Sequence, residues 1–300
     1  MQRFLIRIIL FSLIALGFFA GMIVGSEFLI SSRKKQLMTL NYGIRNLFAG
    51  NSSVECAVDD RLVKHSVNIA ESGEAYLYSY IKIKALLEAN KHLEAVFLGY
   101  SFADLLFEKE ESWLFSDEYI IEKVKSYNYL LESQERKLLL ANNPKAFLRG
   151  LLKSVFSNFS SALGSNAVPK SAGELVNFGG YKLLVRDKLM VDPGLASDNH
   201  PIVKSPQQEK YLRMISDLCQ QHQIRLVLFT TPKHSSYIES LDEENYSLWL
   251  DVRNSLPSDS LLDLSGFVLP DSCFGDLSHL NYRGARLFSG YLDTLLNEGY

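Results

Sequence analysis

Three residues far apart in the chain have the types and the order that acyl chemistry needs: Ser52, Asp276 and His279. Ser52 follows Phe48-Ala49-Gly50-Asn51, an apolar run that breaks on a glycine, so its hydroxyl is set on a tight turn leaving a predicted strand. Alone, a serine there is most simply a turn or helix-cap residue. Asp276 and His279 stand three apart in Gly275-Asp276-Leu277-Ser278-His279-Leu280-Asn281. That spacing lets a carboxylate hold one imidazole nitrogen while the other faces a substrate. Alone, it is more often a structural Asp–His pair. Together, an early serine on a strand exit and a late Asp-x-x-His form one of the chain orders of a Ser–His–Asp triad, whose chemistry is nucleophilic attack on an acyl carbonyl.

Such a triad needs strands that end at one edge of a sheet. Short apolar runs supply them at Asn46–Ala49, Val67–Ala70, Ala95–Leu98, Arg225–Phe229 and Leu261–Leu264, each closing on small or polar residues. Between them lie helical patterns: Leu77, Ile81 and Ala85 recur every four residues, Gln207–His222 carries Tyr211, Ile215 and Leu218 on one side, and Phe288, Leu292 and Leu295 close the chain. The alternation predicts an α/β fold, a mainly parallel sheet between helices in three α/β/α layers, with its functional groups at the carboxyl ends of the strands. Residues 108–165 break that rhythm with helix-like stretches at Tyr119–Leu131 and Lys145–Phe159, and read as a helical insertion. Tyr181–Arg186 and Lys188–Val191 suggest a hairpin. Another strand exit, Thr230-Thr231-Pro232-Lys233-His234, points towards the same edge. Its His234 reads equally well as a substrate contact or as an exposed turn residue. Cys56 and Cys273 read as small buried hydrophobes.

Composition narrows the classes. Lys and Arg number 31 and Asp and Glu 34, so the net charge of −3 offers no basic surplus for nucleic acid. Three cysteines are too few and too scattered for a disulfide framework or a zinc cluster, and no cofactor or metal is expected. Charge is nevertheless uneven: residues 1–35 carry Arg3, Arg7, Arg33, Lys34 and Lys35 against Glu27, a net of +4, which leaves −7 for the rest. From Ile8 to Ser26 there is no charged side chain, and such a run reaches roughly 28 Å as a helix, close to the hydrocarbon thickness of a bilayer. A signal peptide has a shorter apolar region and a small-x-small cleavage site, and here Ala15-Leu16-Gly17 falls inside the apolar core. The sequence predicts a transmembrane anchor at 1–30, a juxtamembrane linker at 31–45 and one α/β domain at 46–300, the domain lying wholly on one side of the membrane.

These motifs resemble the SGNH (GDSL-like) hydrolase superfamily, in particular its membrane-anchored bacterial branch linked to acylation of cell-envelope polysaccharides. The resemblance covers roughly 45–105 and 205–297 and is strongest at Asp276–Phe288. It implies Ser52 as nucleophile, His279 as base and Asp276 as its orienting carboxylate. Asn68-Ile69-Ala70-Glu71-Ser72-Gly73 is similar to the family's second block and makes Gly73 the oxyanion donor. Gly99-Tyr100-Ser101 stands where many members have Gly-x-Asn, so Ser101 takes the place of the asparagine amide. Pro-x-His text like that ending in His234 also occurs in the envelope branch. The implied activity is an esterase or O-acyltransferase on acyl, chiefly acetyl, esters of an extracytoplasmic polysaccharide; the alternative is a catalytically silent binding or scaffold relative. Implied partners are the acylated polysaccharide, the membrane and a membrane acyl-donor protein docking on the insertion.

Overall fold

The computed structural model describes residues 2–101, 106–107, 113–163, 178–190, 203–241, 243–256 and 260–299. The chain forms two compact units, one of Met1–Met38 with Leu114–Ser171 and one of Thr39–Trp113 with Ala172–Tyr300.

The first unit is helical. α1 (Gln2–Met38) carries a stretch, Arg3–Phe28, of mean hydropathy 2.5 that is long and apolar enough to cross a membrane. Phe4, Phe11 and Phe18 on it are exposed. The helix runs past the apolar stretch to Met38, through residues expected as linker. α4 (Asp117–Tyr127), α5 (Ser133–Asn142) and α6 (Pro144–Leu163) complete the unit. α4 and α6 pack together, burying Ile120 and Val124 on one and Phe147, Leu151 and Val155 on the other.

The second unit is an α/β fold around a five-stranded, all-parallel sheet in the order β2-β1-β3-β6-β7. Its strands are β1 (Asn46–Ala49), β2 (Ser66–Asn68), β3 (Ala95–Gly99), β6 (Arg225–Thr230) and β7 (Ser260–Asp263). Each falls within two residues of a predicted apolar run. β4 (Leu106–Phe107) and β5 (Val203–Lys204) form a separate antiparallel pair. Side chains alternate across a strand, so Phe48, Phe97, Val227 and Phe229 share one face and Leu47, Val96, Leu98, Leu226 and Leu228 the other; all are 0–1% exposed, and both faces are covered. On the aromatic face Phe48 and Phe97 stack with centroids 4.8 Å apart, and Phe288 of α10 (Tyr282–Asn297) lies 6.2 Å from Phe229. α10 also packs on α2 (Ser52–Ala57), while α3 (Tyr76–Ala89) packs on α7 (Pro206–His222). Local signals set the helix ends. Ser205 caps α7 before Pro206, and Asn281 caps α10 by accepting from the N–H groups of Arg283 and Gly284. α8 (Ser235–Glu239) and α9 (Glu243–Asn254) follow the β6 exit.

The predicted hairpin after Tyr181 does not form. Residues 178–190 run as an extended strap, with a bend at 187–188. Its backbone groups bond to other segments: Gly180 N–H to Ala70 O, Lys182 N–H to Glu55 O and Met190 N–H to Gly275 O, while Leu184 O accepts from Tyr282 N–H. Asp187 alone is too short a turn to fold the segment back on itself. A Cβ at Gly179 would lie 2.2 Å from Ala70 O, so only glycine lets the strap pass this close to the β2 exit. Val191 lies outside the described residues.

In this strand order the chain steps from β1 to β2 on one side and then returns past β1 to β3 on the other. The crevice of an open parallel sheet lies at that reversal, at the carboxyl ends of the strands. Ser52 follows β1 at this point.

Candidate active site

The β1–α2 turn aims Ser52. Gly50 has φ +142°, and a Cβ there would meet Gly99 Cα at 3.1 Å. Glycine therefore permits both the backbone angle and the close approach of the β1 and β3 exits. Asn51 caps α2, its side chain accepting from Ser53 N–H at 2.9 Å, which leaves Ser52 as the first helical residue with a half-buried side chain.

Ser52 Oγ lies 2.8 Å from His279 Nε2, and His279 Nδ1 lies 2.8 Å from Asp276 Oδ1. Residues 227 positions apart thus form a continuous relay. The chemistry of Asp276 assigns the tautomer. Its Oδ1 also accepts from Ser278 N–H, Ser278 Oγ and His279 N–H at 3.0–3.1 Å, and Oδ2 accepts from Arg186 Nη1 at 2.8 Å. Burial pushes this carboxyl up, but the His279 hydrogen bond and charge, with the Ser278 bonds, outweigh it and hold the group well below the usual carboxylate range. An ionised carboxylate only accepts, so Nδ1 carries the proton and Nε2 is free to accept from Ser52.

A depressed carboxylate sets a direction for pH dependence. With the folded-state value below 3.8, the stabilisation from Asp276 is complete above about pH 4 and is lost as pH falls through the folded value. Stability of the wild type is expected to decline below about pH 4, and Asp276→Asn to remove that part of the slope. Chemical denaturation at a series of acid pH values measures it; identical slopes in the two proteins refute the assignment.

The other expected site residues are placed as follows. Gly73, φ +65°, sits on a loop tied to the nucleophile turn, where Glu71 N–H bonds to Gly50 O at 3.0 Å and Ser72 Oγ donates to Glu55 of α2. The space beside its Cα is open. Ser101 is buried two residues beyond β3, the strand whose exit meets Gly50. His234 is occupied elsewhere: it caps α8 by accepting from Ser236 N–H, its Nε2 is 3.2 Å from Asp271 Oδ1, and its ring stands edge-on to Phe274. Only its backbone N–H reaches the catalytic loop, at Leu277 O. Cys56, one turn after Ser52, is buried, and burial followed by the Glu55 charge pushes its thiol up to about 11, which disfavours a thiolate nucleophile. Among the described residues no group of three or more His, Cys, Asp or Glu is placed to hold a metal ion.

Two basic residues escaped the sequence reading. Arg186, from the strap, fixes the far oxygen of Asp276. Lys233 is buried, and its Nζ donates to Ser53 Oγ at 2.8 Å and Ser278 O at 2.9 Å, joining the residue after Ser52 to the residue before His279. A lysine and an arginine in loops carry no signal of such roles. If the Ser52–His279 pair is catalytic, Lys233→Met is expected to lower kcat about 10- to 100-fold with little change in KM, because it frees the Ser52 and His279 segments to drift apart. Steady-state kinetics test this, and an unchanged kcat removes Lys233 from the site.

Beside these loops, a cleft of about 610 Å³ opens at the exits of β6 and β7, lined by Thr230, Asp263 and Ser265 with Ile238, Tyr246 and Trp249. Ser265 O accepts from Lys233 N–H, so the cleft wall and the catalytic loops share a backbone bond.

Residues 201–299 match an uncharacterised protein family, a stretch that holds β6, β7, Asp276 and His279 and stops short of Ser52. No curated protein matches the chain.

Proposed function

We propose that this protein is a membrane-anchored serine esterase or O-acyltransferase of the SGNH type, with the three-layer arrangement of that superfamily, acting on acyl esters of an extracytoplasmic polysaccharide. One observation carries the reading: the Ser52–His279–Asp276 relay, with both links at 2.8 Å, at the topological reversal of a parallel sheet. In the reaction His279 Nε2 takes the Ser52 proton as Oγ attacks the ester carbonyl. Asp276 holds the imidazole and stabilises its cation. The N–H groups of Ser52 and Gly73, with the Ser101 hydroxyl, receive the charge that develops on the carbonyl oxygen. His279 then returns the proton to the departing alkoxide, leaving an acyl-serine. Water or a sugar hydroxyl, deprotonated by the same imidazole, takes the acyl group and restores the serine.

The cleft beside the loops supports a polysaccharide as the alcohol component. Half-exposed Tyr246 offers a ring face, and Asp263 and Ser265 offer oxygen atoms to sugar hydroxyls. A docking site on the helical unit for a membrane acyl-donor protein is compatible with the transferase form. The extracytoplasmic location follows from the substrate class.

Full-length protein in detergent micelles, given p-nitrophenyl acetate and an O-acetylated glycan, tests the proposal. Release or transfer of acetate, with covalent labelling by a fluorophosphonate that is absent in Ser52→Ala, supports it. Neither turnover nor labelling would refute it. In that case the second reading holds, a silent SGNH-like glycan-binding or scaffold protein. It is favoured by the single observation that a short serine stands at 101 in place of the family's asparagine amide.

A further inference from the structure

α6 has two faces of different character. Ala146, Phe147, Gly150, Leu151, Ser154 and Val155 are buried inside the helical unit. At 100° per residue the outward positions Lys145, Leu148, Arg149, Leu152, Lys153 and Phe156 fall within an arc of about 140°. Leu148 is 49% exposed and Phe156 61%, and Leu152 and Phe159 are partly exposed. Leu148 and Leu152 lie on one side of this arc, Arg149 and Lys153 on the other, and Lys145 and Phe156 between them. Pro144–Leu163 contains no Asp or Glu, although the chain beyond residue 35 carries a net −7.

The place of this face in the unit identifies what it meets. The helical unit joins α1 at the last turn of the membrane-crossing stretch. The Phe159 ring packs against Gly25, where a Cβ would be 3.6 Å from Cζ. Asn158 Nδ2 donates to Ser26 Oγ at 2.9 Å, and Arg136 pairs with Glu27 at 2.8 Å. Since the stretch ends at Phe28, these contacts lie where the chain leaves the bilayer. Phe156 is one turn before Phe159, so a strongly exposed phenylalanine stands at the level of the lipid headgroups. Apolar and basic residues side by side on one exposed face are what a helix in the headgroup layer requires: rings and leucines enter the acyl boundary while Lys and Arg meet lipid phosphates. Among the described residues Arg149 has one ionic partner, Asp117 at 3.8 Å with both side chains exposed, a pairing too weak to hold it from a phosphate.

The geometry points to α6 as an interfacial helix that docks its Leu148–Leu152–Phe156 face, flanked by Lys145, Arg149 and Lys153, on the surface of the bilayer that α1 crosses, with preference for anionic lipid. This inference rests on α1 spanning the membrane and is independent of the catalytic reading. It fixes the helical unit against the membrane at two places, the span and the helix, and so restricts its rotation about the span.

The test uses full-length protein reconstituted into vesicles of phosphatidylcholine with about a quarter phosphatidylglycerol. An environment-sensitive fluorophore is attached to Leu148→Cys, Phe156→Cys or, as a reference, Leu16→Cys; the native Cys56, Cys219 and Cys273 are buried. Lipids carrying a nitroxide near the headgroup are expected to quench the probes at 148 and 156. Lipids with a mid-chain nitroxide are expected to quench the probe at 16. The triple variant Lys145→Glu/Arg149→Glu/Lys153→Glu, with helicity verified by circular dichroism, is expected to lose the quenching at 148 and 156 and keep it at 16. Quenching at 16 with none at 148 or 156 overturns the docking and leaves the anchor standing, as it would if a protein covered this face. Quenching at 156 alone also overturns it, because the helix would then stand away from the surface. No quenching at 16 overturns the anchor and the docking together.

Discussion

Ser52→Ala is expected to lower kcat for ester cleavage by about 10⁴-fold or more, with KM and thermal stability nearly unchanged. The side chain is half-buried, and its hydroxyl is bonded to His279 at 2.8 Å. In the proposed mechanism its loss removes the attacking atom, and it opens no cavity in the core. His279→Ala is expected to cost about as much, because a serine with no base at 2.8 Å is a poor nucleophile at neutral pH. The double variant is expected to be no worse than either single one, since the two side chains act as one unit. Kinetics of the three variants with p-nitrophenyl acetate decide the matter. Retention of more than a tenth of wild-type kcat by Ser52→Ala, or additive losses in the double variant, would show that the relay is structural.

Much of this site was legible in short stretches of sequence. Phe48-Ala49-Gly50 predicts a buried strand broken by a glycine, and both features have local causes: apolar side chains on both sheet faces, and a backbone angle and close approach that only glycine accommodates. Asp276 and His279 are readable because they lie on one loop, where a spacing of three fixes their geometry without help from the rest of the fold. Arg186 and Lys233 were not readable. Each meets the catalytic loops only through tertiary folding, 90 residues away from Asp276 in one case and 45 from Ser278 in the other. The strap shows the same limit. Tyr181–Arg186 has a strand-like pattern, yet its partners are Ala70, Glu55, Gly275 and Tyr282 rather than a second strand, and nothing in its own residues names them. His234 reads equally well from sequence as a substrate contact or a turn residue; its ring caps a helix beside Asp271, a pairing that the loop's own residues do not announce. Charge ends the apolar run near residue 30, while the helix itself continues to Met38, because Arg, Lys and Gln extend a helix readily once it is started.

Lys82 is a charged residue whose place the sequence does not reveal, and the one whose loss is expected to cost most in stability. In Tyr78-Ser79-Tyr80-Ile81-Lys82-Ile83-Lys84 it resembles a solvent-facing lysine on an amphipathic helix. In the structure its side chain and that of Glu74 are both 0% exposed and form an ion pair. Lys82 Nζ also donates to Ile69 O at 2.6 Å and Phe178 O at 2.9 Å, and Ser79 Oγ donates to Glu74 Oε1 at 2.7 Å. One ammonium therefore joins the β2 exit, the start of the strap and the residue next to Gly73. Lys82→Met leaves a carboxylate buried without its counter-ion and is expected to destabilise the sheet unit by about 3–5 kcal/mol. Replacing both partners, Lys82→Met with Glu74→Leu, removes the stranded charge and is expected to cost less than the more damaging single change. Because the pair anchors the loop that carries Gly73, the double variant is also expected to lose kcat while regaining stability, which separates its effect on the oxyanion loop from its effect on folding. Urea unfolding followed by near-ultraviolet circular dichroism gives the stabilities, and p-nitrophenyl acetate turnover gives kcat. A cost below about 1 kcal/mol for Lys82→Met, or a double variant equal to the sum of the singles, would mean that the two charges do not depend on each other inside the fold.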